Sequence, residues 1–265
     1  MNESGKGEKA VATFFWLLFG LSVPFWLAGA YIDLKEFPLP FAAVMVFNPM
    51  IIALVLVYRE SGSGAAKALL KRVMDYGRIR DKRWLAPMFL TMPAVMILSY
   101  IILALTGRTP PNPQVTLVNI PLLFVVFFIT AIGEEIGWQG YTYGRLRTQR
   151  SALGASLIVG LAWAVWHVIP NFQAHHPLDW VVWQFLNTVA LRVVMVWIYN
   201  NCGQSLFSTV AFHTMINVSN FAFPNSGSHY DPFLSFAILG IIALVVIWLW
   251  GGQTLAHYRR RVTPI

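Results

Sequence analysis

The chain has 265 residues, of which 57% are hydrophobic, 15% aromatic and only 11% charged. In a water-soluble domain about a quarter of all residues are charged, so this composition excludes a soluble globular fold. The single cysteine, Cys202, excludes an intrachain disulfide and a thiolate metal cluster. The sequence also contains no Gly-rich phosphate-binding loop and no HExxH helix. We therefore interpret the chain as a polytopic membrane protein of the all-α class.

Apolar stretches of about 20 residues, the length that crosses the hydrocarbon core as a helix, recur along the whole chain. They predict a bundle of about eight transmembrane helices. Because the connections are short, we expect residues 1–265 to form a single integral-membrane domain. The predicted helices cover about residues 11–31, 38–58, 84–106, 119–143, 152–171, 180–199, 204–222 and 233–251.

The distribution of the basic residues predicts the orientation of the bundle. If both termini are cytoplasmic, 16 of the 19 Lys and Arg residues fall in cytoplasmic segments, and the exceptions are Lys35, Arg108 and Arg192. This asymmetry follows the positive-inside rule. We therefore expect a multi-pass protein of the cell membrane with both termini cytoplasmic, and we attribute the excess of positive charge to topology, with no nucleic-acid partner. A cleavable signal peptide is an alternative for the first segment, but its apolar run is longer than usual for one.

The longest predicted connection, residues 62–83, contains a second helical pattern. Apolar residues recur there at helical spacing between basic residues, which predicts an amphipathic helix on the cytoplasmic leaflet. An ordinary positive-inside connection is the alternative. The apolar positions are Ala66, Leu69, Leu70, Val73 and Met74.

Two adjacent acidic residues in the fourth predicted helix need an explanation, because a charge at bilayer depth costs several kcal/mol. Glu134 and Glu135 follow a nearly unbroken apolar run, with no basic residue close by in sequence. Neighbouring residues on a helix point about 100° apart, so the two carboxylates can serve different partners. An acidic pair at the membrane interface is the alternative, with Trp138, Tyr141 and Tyr143 marking the surface.

Further polar residues occur on two other predicted helices. His167 lies on the otherwise apolar fifth helix, and His213 and Asn217 lie on the seventh. A spacing of four residues places His213 and Asn217 on one helix face. By helical rise, His167 lies further from the connection between helices 4 and 5 than Glu134 does, so the fifth helix must begin late or tilt. We predict a functional site between helices 4, 5 and 7.

Three segments of this region, GEEIGWQGY, WAVWHVIP and FHTMIN, carry a family resemblance. They resemble the ordered motifs EExxxR, an aromatic-rich xxxH and HxxxN of the CAAX-protease and bacteriocin-processing (CPBP, or Abi) intramembrane proteases. That family includes the Ras-converting type of CAAX prenyl endopeptidase, and the motif-bearing core spans about residues 119–222. The resemblance implies an endopeptidase that acts on membrane-associated or lipidated, CAAX-type, peptide substrates with glutamate-activated water.

The resemblance also implies roles for the polar residues. Glu134 would be the general base with His167 as its partner, while His213 and Asn217 would bind and polarise the substrate carbonyl. Glu135 would be a supporting hydrogen-bonding group.

The sequence departs from the motif at one position. The motif arginine is replaced by Gln139, which can hydrogen-bond Glu135 across one turn but carries no charge. Arg192, in the sixth helix, could provide the missing cation, and a side chain that extends to the membrane surface is the alternative.

Other chemistries stay open at this stage. Glu134, His167 and His213 could hold Zn²⁺ with an open position for water, so the resemblance is compatible with a metalloprotease as well as with a glutamate protease. The glutamate mechanism needs no cofactor, and zinc is the one cofactor that the residues leave open. A non-catalytic immunity or scaffold protein and a proton-coupled transporter are the alternative functions, although we find no repeated halves of the kind transporters show.

Overall fold

The computed structural model describes residues 3–32, 41–108, 117–222 and 227–256. Within these ranges the chain is helical and contains no strand, which confirms the all-α class. Eight long helices follow one another: α1 (Glu3–Tyr31), α2 (Asn48–Lys71), α3 (Leu85–Leu105), α4 (Ile120–Glu135), α5 (Ala152–Gln173), α6 (Leu178–Asn201), α7 (Leu206–Ala222) and α8 (Pro232–Trp250).

Seven segments in the described ranges are long and apolar enough to cross a membrane, and they include every long helix except α7. With 17 residues, α7 is about 26 Å long at 1.5 Å per residue. It packs against α3 and α4, and most of its side chains are buried. The predicted helical bundle is therefore confirmed, with α7 as an interior helix.

The predicted end of the second helix, at about residue 58, is too early. α2 continues to Lys71, although its backbone leaves the helical region at Gly62, with φ 80° and ψ −179°, a conformation that glycine adopts readily. After α2 the chain forms 3₁₀ turns at Arg72–Met74 and Tyr76–Arg78. Leu69 and Val73 are buried there, whereas Leu70 and Met74 are exposed. The segment is thus partly helical and attached to the core, and its position on a membrane surface stays a prediction.

The two ends of the described chain lie at the same end of the bundle. Near the start of α1, Glu8 accepts a hydrogen bond from Arg150, which precedes α5. After α8, the carbonyl groups of Gly252 and Gln253 accept from the backbone N–H groups of Leu153 and Ala152. This shared end agrees with an even number of crossings, and the cytoplasmic orientation stays a prediction. Lys35 and Arg259–Arg261, which contributed to that prediction, lie outside the described residues.

The end of α4 has an unusual geometry. Directly after Glu135 the chain forms a π-helix, Ile136–Tyr143, and then a last α-helical turn. π-Helical segments are rare and occur frequently at functional sites. Trp138, Tyr141 and Tyr143 are buried in the protein core, and the interpretation that they mark the level of the membrane surface stays a prediction.

Gly137 allows this π-helix to lie against α2. A Cβ atom at Gly137 would come within 2.5 Å of the carbonyl oxygen of Pro49 and 2.6 Å of its Cβ. We expect Gly137→Ala to force the helices apart and to lower the free energy of unfolding by about 1–3 kcal/mol. Thermal unfolding of the purified protein in detergent measures this loss.

Gly144→Ala is the matched control, because a Cβ atom at Gly144 meets nothing within 4 Å. It should leave the unfolding temperature unchanged or slightly higher, since alanine favours a helix. Equal unfolding temperatures for the two variants would contradict the close packing of α2 on the π-helix.

Candidate active site

The two adjacent glutamates end α4 and turn to different partners. Glu134 is 5% exposed and Glu135 is fully buried. Glu134 accepts a hydrogen bond from Trp163 of α5, whereas Glu135 pairs with Arg192 of α6. This divergence agrees with the expected angle between neighbouring helix positions.

Glu135 and Arg192 form a bidentate ion pair inside the bundle. The distances are 2.7 Å from Nη1 to Oε2 and 3.1 Å from Nη2 to Oε1. Both side chains are fully shielded from solvent. The hypothesis that Arg192 supplies a cation is therefore confirmed, and the alternative of a side chain that extends to the membrane surface is wrong.

His213 of α7 joins this pair from the other side. Its Nδ1 lies 2.9 Å from Oε1 of Glu135. Because the ionised carboxylate can only accept, we assign the ring hydrogen to Nδ1, which donates to Glu135. The other ring nitrogen, Nε2, faces Glu134 and lies 4.0 Å from its Oε1. Glu135 therefore fixes which nitrogen of His213 is directed to Glu134.

Trp163 contacts most members of the site, and sequence reasoning did not single it out. Its Nε1–H donates to Oε2 of Glu134 at 2.7 Å, and its backbone carbonyl accepts from Nδ1 of His167 at 2.9 Å. Its ring packs edge-on against the His213 ring, with centroids 5.2 Å apart, and lies 4.3 Å from the Arg192 guanidinium. The one available signal was its position four residues before His167, on the same helix face.

His167 and Asn217 complete the group of predicted residues. The His167 ring packs edge-on against Trp163 and Trp166, with centroids 5.5 and 4.9 Å away. Its Nδ1–H donates to the Trp163 carbonyl, so Nε2 is the ring nitrogen that can bind another group. Asn217 lies one turn after His213 and is partly buried. The histidine that the structure brings within 4.0 Å of the Glu134 carboxylate is His213 rather than His167.

The expected hydrogen bond between Gln139 and Glu135 is absent. Gln139 is fully buried, and neither its Oε1 nor its Nε2 has a partner among the described residues. The oxygens of Glu135 are already bound by Arg192 and His213. In addition, the wider turn of the π-helix moves the fourth residue off the face that it would occupy on an α-helix. The prediction for Gln139 is wrong for both reasons.

The proposed zinc ligands do not fit a metal site in this arrangement. No group of three His, Cys, Asp or Glu residues in the described part of the chain is placed to hold a metal ion. The carboxylate of Glu134 is already bound by Trp163 through Oε2, and its Oε1 lies 4.0 Å from His213 Nε2. We therefore derive no catalytic step through zinc.

Fold and site together define a class: a helical membrane protein with a buried acid–histidine site. A family model described as "Type II CAAX prenyl endopeptidase Rce1-like" matches residues 116–219, which include every residue of this site. A relative named CAAX prenyl protease 2, from Methanococcus maripaludis, is 24% identical over 212 residues, covering 73% of this chain and 78% of that protein. Residues 116–219 are thus similar to the Rce1-like CAAX prenyl endopeptidases, in agreement with the resemblance of the three motifs.

The contacts of Trp163 generate a prediction for peptidase activity. Trp163→Phe keeps an aromatic ring but removes the N–H that holds Glu134. A hydrogen bond to a charged group contributes about 1.5–3 kcal/mol, so kcat should fall about 10- to 100-fold. Steady-state cleavage kinetics in detergent or liposomes measure the change.

Trp166→Phe is the control on the same helix, because its Nε1–H donates to Ser22 at 2.8 Å and not to the acid pair. It should cost stability with a much smaller effect on kcat. Full activity of Trp163→Phe would show that Glu134 does not need this hydrogen bond.

Proposed function

We propose that this protein is an intramembrane endopeptidase that cleaves prenylated CAAX-type protein substrates with water activated by Glu134. One observation carries the mechanism: Glu134 is held through Oε2 by Trp163 while Oε1 faces Nε2 of His213 at 4.0 Å. The substrate class is supported by the family and by the name of the related CAAX prenyl protease 2.

The gap between Glu134 and His213 is where water and peptide would meet. A separation of 4.0 Å is too long for a direct hydrogen bond, and it leaves Oε1 and Nε2 free for other partners. A water molecule on Oε1 and a peptide carbonyl oxygen on Nε2 are then neighbours. This arrangement brings the nucleophile next to the carbonyl carbon that it attacks.

Glu134 would act as the general base. Its carboxylate takes a proton from water while the resulting hydroxide adds to the carbonyl carbon, and Nε2 of His167 can accept a hydrogen bond from the O–H group that remains. The protonated Glu134 then gives its proton to the leaving amine nitrogen as the C–N bond breaks. The immediate products are a carboxylic acid and an amine, the acid then gives its proton to the amine, and Glu134 returns to its starting carboxylate.

His213 and Asn217 would stabilise the negative oxygen that forms during attack. His213 donates from Nε2 when it carries a second proton, and the Asn217 amide donates from the same face of α7. In that state the positive charge of Arg192 balances the negative charge of Glu135, and the positive charge of His213 balances that of Glu134. A cluster without net charge is favourable inside an apolar bundle, where an uncompensated charge costs several kcal/mol.

The other hypotheses gain less support. The family is one of endopeptidases, and neither a scaffold role nor proton-coupled transport has an observation in its favour. A position in the cell membrane with both termini cytoplasmic also belongs to this proposal. It is supported by the positive charge of the cytoplasmic segments and by the shared end of α1 and α8.

The two glutamates give the sharpest test. Glu134→Gln removes the base while size and the bond to Trp163 can persist, so the fold should survive and kcat should fall about 10²- to 10⁴-fold. The assay follows cleavage of a farnesylated CAAX peptide by protein reconstituted in liposomes, with thermal unfolding measured on the same samples.

Glu135→Gln is the matched comparison at the neighbouring position. It leaves the charge of Arg192 without a partner, so thermal stability should fall, by about 3–5 kcal/mol if no group compensates. Its activity should decrease only moderately, because an amide oxygen can still accept from His213. If Glu135→Gln abolished turnover while Glu134→Gln stayed active, the two roles would be reversed. If both variants kept full activity, Glu134 would not be the base.

A further inference from the structure

We propose that Arg192 is a positioning residue for hydrolysis: it fixes Glu135, and through Glu135 the ring hydrogen and orientation of His213. This inference rests on the proposed function and extends it to a residue of α6, outside the three motif segments. Arg192 is bound to Glu135 rather than to the proposed base Glu134, and we assign its effect to the contact between Glu135 and His213.

Glu135 is the element that connects Arg192 to His213. Its Oε1 is shared, since it accepts from Nη2 of Arg192 at 3.1 Å and from Nδ1 of His213 at 2.9 Å. Its Oε2 accepts from Nη1 of Arg192 at 2.7 Å. A two-pronged guanidinium therefore sets the plane of the carboxylate, and the carboxylate sets the direction of the His213 bond.

Arg192 is itself held by α5. Its guanidinium carbon lies 4.3 Å from the centre of the Trp163 ring, at cation–π distance. Its aliphatic stem passes Gly160, where an added Cβ atom would lie 3.1 Å from the Cβ of Arg192. The close approach of α5 and α6 at Gly160 thus directs Arg192 toward Glu135.

The pair is poorly explained by stability alone. A buried ion pair is often replaced by apolar residues without loss of stability, because both charges must be taken out of water. Here the Nε of Arg192 also has no hydrogen-bond partner among the described residues. The pair therefore carries an uncompensated desolvation cost that a purely structural contact would not need.

Arg192→Gln provides the first test. With [¹⁵N]histidine-labelled full-length protein, the His213 ring signals, assigned with His213→Ala, should show that Nδ1 carries a hydrogen in the wild type. In Arg192→Gln we expect Nδ1 to carry a hydrogen in only part of the molecules. The kcat for a farnesylated CAAX peptide should fall about 10- to 100-fold, as expected for the loss of a hydrogen bond to a charged group. KM should change less than about twofold, as for an interaction that acts in the transition state.

Two further variants separate geometry from charge. Arg192→Lys keeps the charge but loses the two-pronged contact, so kcat should recover only in part. Arg108→Gln is the control, since Arg108 is largely exposed and pairs with Asp231 at 3.6 Å, away from the site. It should leave both kcat and the His213 signals unchanged.

The double variant Glu135→Gln/Arg192→Gln covers the case in which Arg192→Gln does not fold. Two facing amides leave no unpaired charge, so the fold should be retained. If Arg192 positions His213, kcat of the double variant should stay at least about tenfold below that of the wild type. Wild-type kcat in the double variant, or unchanged His213 signals in a folded Arg192→Gln, would overturn the inference. The His213 signals need no substrate, so they test the inference even if the wild type cleaves no prenylated peptide, a result that would refute the proposed function alone.

Discussion

The buried pair between Glu135 and Arg192 is the constraint on which the rest of the site depends. An apolar bundle cannot hold a lone carboxylate without a cost of several kcal/mol, and Arg192 lowers that cost through contacts of 2.7 and 3.1 Å. Once Glu135 is neutralised, its shared oxygen can fix His213, and Glu134 is left as the carboxylate that pairs with no arginine or lysine among the described residues. The charge balance thus separates a supporting acid from a reactive one in adjacent positions of one helix.

The helices turn this electrostatic separation into a defined geometry. α4 presents both carboxylates at its last α-helical turn, before the π-helix begins. α5 brings Trp163, which binds Glu134 through its indole and His167 through its carbonyl. α7 brings His213 to face both acids. Because Glu134, Glu135 and His213 are each held by a residue from another helix, the site depends on the packing of the bundle rather than on a flexible loop.

Much of this arrangement could be predicted from the sequence. The length of the apolar stretches predicted the helices. The cost of a buried charge pointed to Glu134 and Glu135 as site residues and to Arg192 as their partner. The failure at Gln139 came from the π-helix, which leaves no periodic signal in so short a segment. Trp163 was missed because an indole on an apolar helix is usually a core residue, and its N–H contact is visible only in three dimensions. The depth of His167 in the bundle relative to Glu134 likewise depends on how the helices pack, and the spacing of residues in the sequence does not give that packing.

The central claim is that Glu134, rather than a bound metal ion, activates water. The most direct measurement is cleavage of a farnesylated CAAX peptide by protein that has been treated with a chelator, with the zinc content determined on the same sample. If Glu134 activates water, activity should persist when zinc is far below one equivalent per chain. Loss of activity with the chelator, followed by recovery when about one equivalent of Zn²⁺ is restored, would contradict it.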